Sequence, residues 1–448
     1  MKERFGEGLP SIVVKPPGPA SGKLAQRLAE VESRNVTCMT PLPPVFWDEA
    51  RGANVRDVDG NTYVDLTGGF GVAASGHSHP RVVEAVSRQA ERLGHNLGDV
   101  HPSEVKVMLL ERLAEVTPGN LGVSILGSAG AEAVEAALKT AVLFTGRTGI
   151  IAFTGAYHGL TYGALSLCWR SHFRRHFTGQ LFNGVHFAPY PAAGGGSDSD
   201  VAAASLRELE RIHDAVSTTE PVGAIIVEPI QGRAGIRVPA PGFLTGLKRF
   251  CEAHGIVLIL DEIYTGFGRT GRWFACEHEA IVPDILLAGK AMSGMLPISA
   301  AIGTPEIMAA WPPSQGEAIH TSTFLGNPVA CAAALAQIQV IQDDNLVSRA
   351  AELGKILRQR ILDWTYPIVG ERRGIGLFQG LELVNPETGE PATAQAGMVV
   401  SRALEQGVLV LAEGSDGNII GLTPPLVITE EQLSHAMDVL ELIIADLV

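Results

Sequence analysis

Helical and strand-like patterns of apolar residues alternate through the middle of the chain, from about residue 80 to about residue 335. Apolar positions recur at helical spacing in PRVVEAVSRQAERL, SEVKVMLLERLAEV and AEAVEAALKTAVLF. Between such helices lie short, continuously apolar segments, namely GIIAF, VGAIIVE, GIVLILD and PDILLAG. Continuous apolar strands are typical of a parallel sheet that is covered on both faces. The pattern therefore predicts an α/β fold with a mainly parallel sheet flanked by helices.

The two ends of the chain have a different pattern. Near the N-terminus, NVRDVDGNTYVDLTGG is typical of two strands joined at an Asp59-Gly60 turn. After about residue 335 the pattern predicts a helix, the strand GLFQGLELV, the helix MVVSRALEQG, the strands VLVLAEG and NIIGLTP, and a final helix. We therefore predict a large domain at 76–335 and a smaller α/β domain built from both termini. Its parts are 1–75, which includes an N-terminal arm, and 336–448.

Composition and charge exclude several classes of protein. The chain has 448 residues, 46% of them hydrophobic, which is enough for a large core. Its formal net charge of −14 argues against a nucleic-acid partner, because binding phosphate backbones requires clustered Lys and Arg. No apolar run reaches the roughly 18–20 residues that span a bilayer, and the N-terminus lacks the apolar segment of a signal peptide. The five cysteines are scattered without a CxxC pair, which indicates reduced thiols and a cytoplasmic location.

Two charged residues follow apolar strands at positions where a ligand is expected. Asp261 directly follows the strand IVLIL, and the carboxyl ends of parallel strands face the ligand crevice. A carboxylate there can stabilise a protonated heterocycle. Lys290 follows PDILLAG, and a lysine in apolar surroundings has a lowered pKa, which makes its neutral amine a nucleophile. The alternative interpretation is a lysine that extends to the surface.

Two turns add further candidates for a cofactor site. The turn from Gly127 to Glu132 contains Gly130 and Ala131 and opens a helix, whose free N–H groups can bind a phosphate. It matches neither the dinucleotide fingerprint GxGxxG nor a P-loop. The second turn, GAYHG, follows the strand IIAF and places Tyr157 where its ring can stack on a flat cofactor.

With these residues, the chain resembles the class III pyridoxal-phosphate (PLP) aminotransferases of fold type I, which include ornithine, 4-aminobutyrate and ω-amine transaminases. The resemblance extends from about residue 40 to the end. The matching motifs are GANVRDVDGNTYVD (52–65), GHSHP (76–80), GAEAVEAALK (130–139), YHG (157–159), EPIQG (228–232), LDEIYTGFGRTG (260–271), AGKAMSGMLP (288–297), TFLGNP (323–328) and TPPLVIT (423–429). The combination of LDEIYTGFGRTG with AGK at this spacing is highly specific.

The resemblance implies PLP as the cofactor and a role for each matching residue. Lys290 resembles the lysine that forms the Schiff base and moves the substrate proton, and Asp261 resembles the carboxylate that pairs with the pyridinium nitrogen. The other implied cofactor contacts are the ring sandwich of Tyr157 and Ile263, the YHG histidine His158, Glu228 at the polar edge of the ring, Tyr264, the phosphate cup of Gly130 and Ala131, and Thr323. Thr323 would reach the phosphate of a neighbouring subunit, which implies a homodimer with shared active sites.

Departures from the family pattern bear on the substrate. Leu160 stands where many members have an Arg for a distal carboxylate. Arg233 stands where many have a Glu that neutralises a second Arg, and Gly421 stands in place of that second Arg. We therefore expect Arg233 to bind the carboxylate of the acceptor, with a solvated loop arginine as the alternative. If Arg233 does not bind it, the candidates are Arg170, Arg174 and Arg175.

Smaller departures affect the cofactor and the pocket. Ala131 lacks the hydroxyl that is often present in the phosphate cup, so backbone N–H groups must do more. Tyr264 replaces the Gln that commonly reaches the ring hydroxyl, and Phe70 stands at a pocket-lining position. With Leu160, Phe70 predicts an apolar or neutral remote end for the donor.

The predicted reaction is ping-pong transfer of an amino group from an amine or amino acid to a keto acid or aldehyde. The alternative within PLP chemistry is an amino-acid isomerase, either a racemase or an aminomutase, since the family contains both. A non-catalytic PLP-binding protein is a third hypothesis, which the presence of both Lys290 and Asp261 argues against. His77 and His79 are expected to form a turn rather than a metal site, and His172 and His176 a solvated helix face.

Overall fold

The computed structural model describes residues 5–39, 44–193 and 198–447. Its strands are β1 Trp47–Arg51, β2 Asn54–Asp57, β3 Thr62–Asp65, β4 Val123–Gly127, β5 Gly149–Phe153, β6 Val185–Ala188, β7 Val222–Val227, β8 Val257–Asp261, β9 Ile285–Ala288, β10 Ser299–Gly303, β11 Val369–Ile375, β12 Phe378–Leu383, β13 Val408–Leu409, β14 Leu411–Glu413 and β15 Ile419–Leu422. Its α-helices are α1 Pro19–Val31, α2 Gly68–Gly71, α3 Pro80–Arg92, α4 Glu104–Val116, α5 Gly130–Thr145, α6 Tyr162–Ser166, α7 Ser171–Arg174, α8 Asp198–Val216, α9 Phe243–His254, α10 Pro305–Met308, α11 Pro328–Asp343, α12 Leu346–Leu362, α13 Thr393–Glu405 and α14 Glu430–Ala445.

A seven-stranded sheet forms the centre of the molecule, in the order β4-β10-β9-β8-β7-β5-β6. The pairs β6–β5, β5–β7, β7–β8 and β8–β9 are parallel, and β10 is antiparallel to both of its neighbours. The prediction of a mainly parallel sheet is therefore confirmed. The pattern missed β4, β6 and β10, which are short or rich in Ala, Ser and Gly.

Both faces of this sheet are buried, as the continuously apolar strands predicted. Because side chains alternate along a strand, Ile226, Ile259 and Leu287 pack with α5 on one face. Their chain neighbours Ile225, Leu258 and Leu286 are buried on the other face, in the core that also contains Phe243 and Leu247 of α9.

Strands from the two ends of the chain form two smaller four-stranded sheets. One has the order β1-β2-β3-β13, and the parallel pairing of β13 with β3 brings the C-terminal part of the chain onto the N-terminal hairpin. The other has the order β11-β12-β15-β14. A smaller α/β unit built from both termini is thus confirmed, while the boundaries at residues 75 and 335 stay a prediction. Among the described residues, no helix is both long and apolar enough to cross a membrane.

Candidate active site

Four chemically important residues lie just beyond the carboxyl ends of neighbouring parallel strands. Tyr157 follows β5, Glu228 follows β7, Asp261 ends β8 and Lys290 follows β9. In an open α/β sheet this edge is where ligands bind, because the loops that leave it surround a crevice. The strand order therefore brings together residues that are more than a hundred positions apart in the sequence.

Lys290 occupies a strained and apolar position directly after Gly289. Its backbone φ is +43°, in the left-handed region, which costs a non-glycine residue roughly 1–3 kcal/mol and is characteristic of functional sites. Burial lowers the pKa of Lys290 to about 8, although Asp261 and Glu228 act in the opposite direction. More of the amine is thus neutral near neutral pH than in an exposed lysine, which favours its action as a nucleophile.

Asp261 is buried and is held from two sides. Its Oδ2 lies 2.7 Å from Nδ1 of His158, and its Oδ1 accepts a hydrogen bond of 3.1 Å from the backbone N–H of Ile263. His158 is itself buried, and its Nε2 has no hydrogen-bond partner among the described residues. The pair presents a fixed carboxylate to the crevice, suited to a protonated ring nitrogen.

Glu228 joins two of the loops around the crevice. Its Oε1 accepts a 3.0 Å hydrogen bond from the backbone N–H of Tyr157, and its Oε2 accepts another of 3.0 Å from Gly232. Burial raises the pKa of Glu228 to about 7, with the charge of Asp261 adding to the effect and His158 opposing it. Glu228 therefore holds the backbone at Tyr157 close to the backbone at Gly232.

The N-terminus of α5, which the sequence predicts to bind a phosphate, lies at an uncapped helix start. Helix α5 begins at Gly130, and no side chain caps it at Ala129. Its first N–H groups, including those of Gly130 and Ala131, point away from the helix and can bind a phosphate. A Cβ at Gly130 would lie only 2.9 Å from Cδ1 of Ile263, so the absence of a side chain allows Ile263 to approach the helix start.

Tyr264 lies beside the reactive amine. The Nζ of Lys290 is 3.4 Å from the centroid of the Tyr264 ring, and the phenol oxygen is 3.4 Å from Oγ1 of Thr423. The ring fits against Gly71 and Gly232, where an added Cβ would come within 2.4 and 2.5 Å of it. Tyr264 thus forms a wall of the crevice next to the lysine, a packing role that the sequence did not predict.

Arg233 has a buried acidic partner that sequence reasoning missed. Its Nη1 lies 3.5 Å from Oε2 of Glu413, at the end of β14, and its guanidinium carbon lies 5.8 Å from the Tyr157 ring centroid. Nη2 of Arg170 donates a hydrogen bond to the backbone carbonyl of Arg233. Arg233 is thus paired with a buried carboxylate although its side chain is 32% exposed, and its binding of the acceptor carboxylate stays a prediction. Glu413 is the last residue of the short strand β14, and only the register of β14 on β15 places it here.

Other predicted residues lie at the surface of the chain. Phe70 and Leu160 are each 51% exposed, and Thr323 is exposed in the turn before α11. The three alternative carboxylate-binding arginines have different partners. Arg174 lies over the Phe187 ring, Arg175 donates a hydrogen bond to His176, and Arg170 lies next to Arg233.

In the GHSHP turn, Nε2 of His77 lies 2.8 Å from Oδ2 of Asp65.

The residues at this crevice fit PLP. A buried carboxylate is available for the ring nitrogen at Asp261, an uncapped helix start for the phosphate at Gly130, and an amine of lowered pKa for the aldehyde at Lys290. Tyr157 and Ile263 provide an aromatic and an aliphatic side chain at the same edge. These features meet the steric and electrostatic needs of a flat, anionic pyridine cofactor.

Comparisons with known proteins agree with this assignment. The family model "Aminotransferase class-III" matches residues 37–444. A 4-aminobutyrate aminotransferase of Mycobacterium leprae (strain TN) is 39% identical, over 97% of this chain and 98% of that protein. An alanine/serine racemase of Pyrococcus horikoshii is 36% identical, over 98% and 93%. The crystal structure of an (S)-enantioselective ω-transaminase from Thermomicrobium roseum superposes with a TM-score of 0.88 at 28% identity, over 96% of this chain and 99% of that one. The chain is therefore a PLP-dependent enzyme that belongs to the class III aminotransferases.

Proposed function

We propose that this aminotransferase uses Lys290 as its covalent cofactor anchor and proton carrier, in a ping-pong reaction between an amine donor and a keto acid or aldehyde. The observation that carries the proposal is the position of an amine of lowered pKa at the end of β9, with the carboxylate of Asp261 at the end of the adjacent β8. Bound PLP supplies an aldehyde for the amino group and an electron-withdrawing ring. Lys290, once free, removes the proton from the amine-bearing carbon of the donor.

The charges around the crevice favour an acceptor with one carboxylate. Arg233 makes a single loose contact with Glu413, and Arg170 lies beside Arg233, so the guanidinium groups can bind one further carboxylate. A second carboxylate would be left without a partner, at a cost of several kcal/mol in a desolvated site. We therefore propose pyruvate-like keto acids or uncharged aldehydes as good acceptors, and donors with an apolar or neutral remote end near Leu160 and Phe70.

Initial-rate kinetics test the proposed order of events. When amine and keto acid are varied together, a ping-pong enzyme gives parallel double-reciprocal lines, because the first product leaves before the second substrate binds. Intersecting lines would show that both substrates are bound at once and would contradict the proposal.

An isomerase is the second candidate, favoured by the 36% identity to the alanine/serine racemase. A racemase returns the proton to the opposite face of the same carbon, and an aminomutase moves the amino group to a neighbouring carbon. Neither needs a separate acceptor. Conversion of a single enantiomer of an amino acid to its mirror image, in the absence of keto acid, would support this alternative.

We expect Asp261→Asn to slow the donor half-reaction at least tenfold. The substitution removes the negative charge that stabilises a protonated ring nitrogen, and such contacts typically shift a pKa by 1–3 units, or roughly 1.4–4 kcal/mol. Stopped-flow absorbance measures the rate. The control is Asp284→Asn, since Asp284 lies at the opposite end of the sheet, where it bonds to Leu258 and Lys248. An Asp261→Asn enzyme as fast as the parent would rule out the role.

The pKa of Lys290 predicts how the cofactor-free enzyme recaptures PLP. Only the neutral amine attacks an aldehyde, and burial lowers the pKa of Lys290 to about 8. The neutral fraction therefore increases as the pH rises through about 8, and we expect the recapture rate to increase with it and then level off. A rate that still climbs steeply toward pH 10 would indicate an ordinary, solvated lysine.

We propose a homodimer as the active unit, with Thr323 reaching the phosphate held by the other subunit. Support comes from the exposure of Thr323 in the protomer and from its place in the TFLGNP motif. We expect Thr323→Val to weaken PLP retention about tenfold or more, the value of a hydrogen bond to a charged group. Thr321→Val, two residues away on the same exposed segment, is the control. A fully active monomer in sedimentation at assay concentration would contradict the dimer.

We also propose a cytoplasmic location. Cys168, Cys251, Cys276 and Cys331 are buried thiols without disulfide bonds, as expected in a reducing compartment.

A further inference from the structure

Glu413 is a buried carboxylate whose presence near the crevice calls for a physical reason. Its side chain is only 7% exposed, and burial raises the pKa of Glu413 because the charged form loses its hydration. The charges of Arg233, Lys290 and Arg170 oppose that shift. No hydrogen bond from a backbone N–H reaches the Glu413 carboxylate within the described ranges. The ion pair with Arg233 is thus its main compensation.

The strand next to Glu413 has a glycine at the position closest to its side chain. Gly421 of β15 pairs with Leu411 of β14, and a Cβ at Gly421 would lie 3.0 Å from Cγ of Glu413. A side chain at position 421 would therefore crowd the Glu413 side chain.

The contact between Arg233 and Glu413 is loose. A single nitrogen–oxygen distance of 3.5 Å joins them, longer than the 2.7–2.9 Å of a strong charge-assisted hydrogen bond. The Nε of Arg233 has no partner among the described residues, and the Arg233 side chain is 32% exposed. A planar carboxylate that binds two guanidinium N–H groups at once would form the better pair.

We propose that Glu413 determines specificity by forming an ion pair with Arg233 whenever no substrate carboxylate is bound there. When the donor has no carboxylate at this place, Glu413 neutralises Arg233 and the crevice stays uncharged there. When the keto acid enters, its carboxylate takes Arg233 from Glu413. This inference deepens the proposed function by assigning the residue that lets one pocket accept a neutral and an anionic substrate in turn.

The test is calorimetric titration of the PLP-loaded enzyme with propionate, a carboxylate that cannot react. In Glu413→Gln the side chain that competes with propionate for Arg233 loses its charge. We expect propionate to bind about fivefold more tightly, because an ion pair between Arg233 and Glu413 worth ~1 kcal/mol no longer has to be broken. Glu413→Asp, whose carboxylate is set back from Arg233 by one methylene group but keeps its charge, should act in the same direction with a smaller effect, and it covers the case that the glutamine variant folds poorly. The combination of Arg233→Ala with Glu413→Gln should abolish the gain.

The control is Asp416→Asn, which removes an exposed negative charge three residues after Glu413. The charge of Asp416 acts on Arg170 only at a distance. Kinetics provide a second measurement: the KM of pyruvate should fall in Glu413→Gln and the KM of an uncharged amine should rise. Propionate affinity in Glu413→Gln and Glu413→Asp no higher than in Asp416→Asn would overturn the inference. Propionate binding needs no turnover, so unchanged propionate affinity would not count against the proposed transamination. Conversely, an enzyme that failed to transaminate would not invalidate the propionate measurement.

Discussion

Lys290→Ala is expected to abolish turnover while leaving the fold intact. In the proposed mechanism Lys290 carries both the nucleophilic attack on the cofactor aldehyde and the movement of the substrate proton. Loss of proton transfer alone typically costs 10²–10⁴-fold, and the covalent anchor is lost in addition. The methylene chain removed from beside Tyr264 leaves a small void at the crevice rather than in the core. The expected result is therefore an active-site effect without general unfolding.

The measurement combines steady-state rates with the visible absorbance of the lysine-bound cofactor. Lys355→Ala, on the exposed surface of α12, is the matched control for loss of a lysine. Near-native turnover in Lys290→Ala would show that another group anchors the cofactor and moves the proton, which would refute the assignment.

The second large effect is expected for Arg233→Ala, which should impair the reaction with the keto-acid acceptor and leave the reaction with the amine donor nearly unchanged. The KM of the keto acid should rise by more than roughly 30-fold, since losing a charged hydrogen-bonded pair typically costs about 2–5 kcal/mol. The amine half-reaction should remain nearly as fast, because only the acceptor uses this charge. Stopped-flow measurement of the two half-reactions separately distinguishes these effects.

The structure improves the design of this experiment. Arg233→Ala leaves Glu413 without its ion-pair partner, and a buried unpaired carboxylate can disturb the site by itself. The same substitution in a Glu413→Gln background removes this complication, and both backgrounds should show the same selective loss. An unchanged keto-acid half-reaction, or a strong preference of the parent for 2-oxoglutarate, would indicate that Arg170 binds the carboxylate instead.

The sequence predicted the frame of the site because strong local signals encode it. The strands that end at Glu228, Asp261 and Lys290 are continuously apolar, and a charge after such a strand stands out. Their order in the sheet follows from α/β topology, so their meeting at one edge was predictable. The start of α5 at Gly130 was likewise marked by a glycine-rich turn.

The remaining features depend on register and side-chain packing, which no local pattern contains. Glu413 reaches Arg233 only because β14 pairs with β15 in one particular register. Strand β10 returns antiparallel through the sheet with a short, Ala-rich segment that resembles a loop in sequence. The position of Tyr264 against Gly71 and Gly232 likewise requires three separate segments to meet.

The most direct test of the central claim, that Lys290 and Asp261 serve amino-group transfer, is a single-turnover experiment with the donor alone. PLP-loaded enzyme is mixed with an excess of an uncharged-tail amine, without keto acid, and the cofactor spectrum is followed. We predict full conversion to the amino form of the cofactor with release of one carbonyl product per site, and reversal on addition of pyruvate. A cofactor that keeps its aldehyde form while the amine is inverted or rearranged would contradict this account and identify an isomerase.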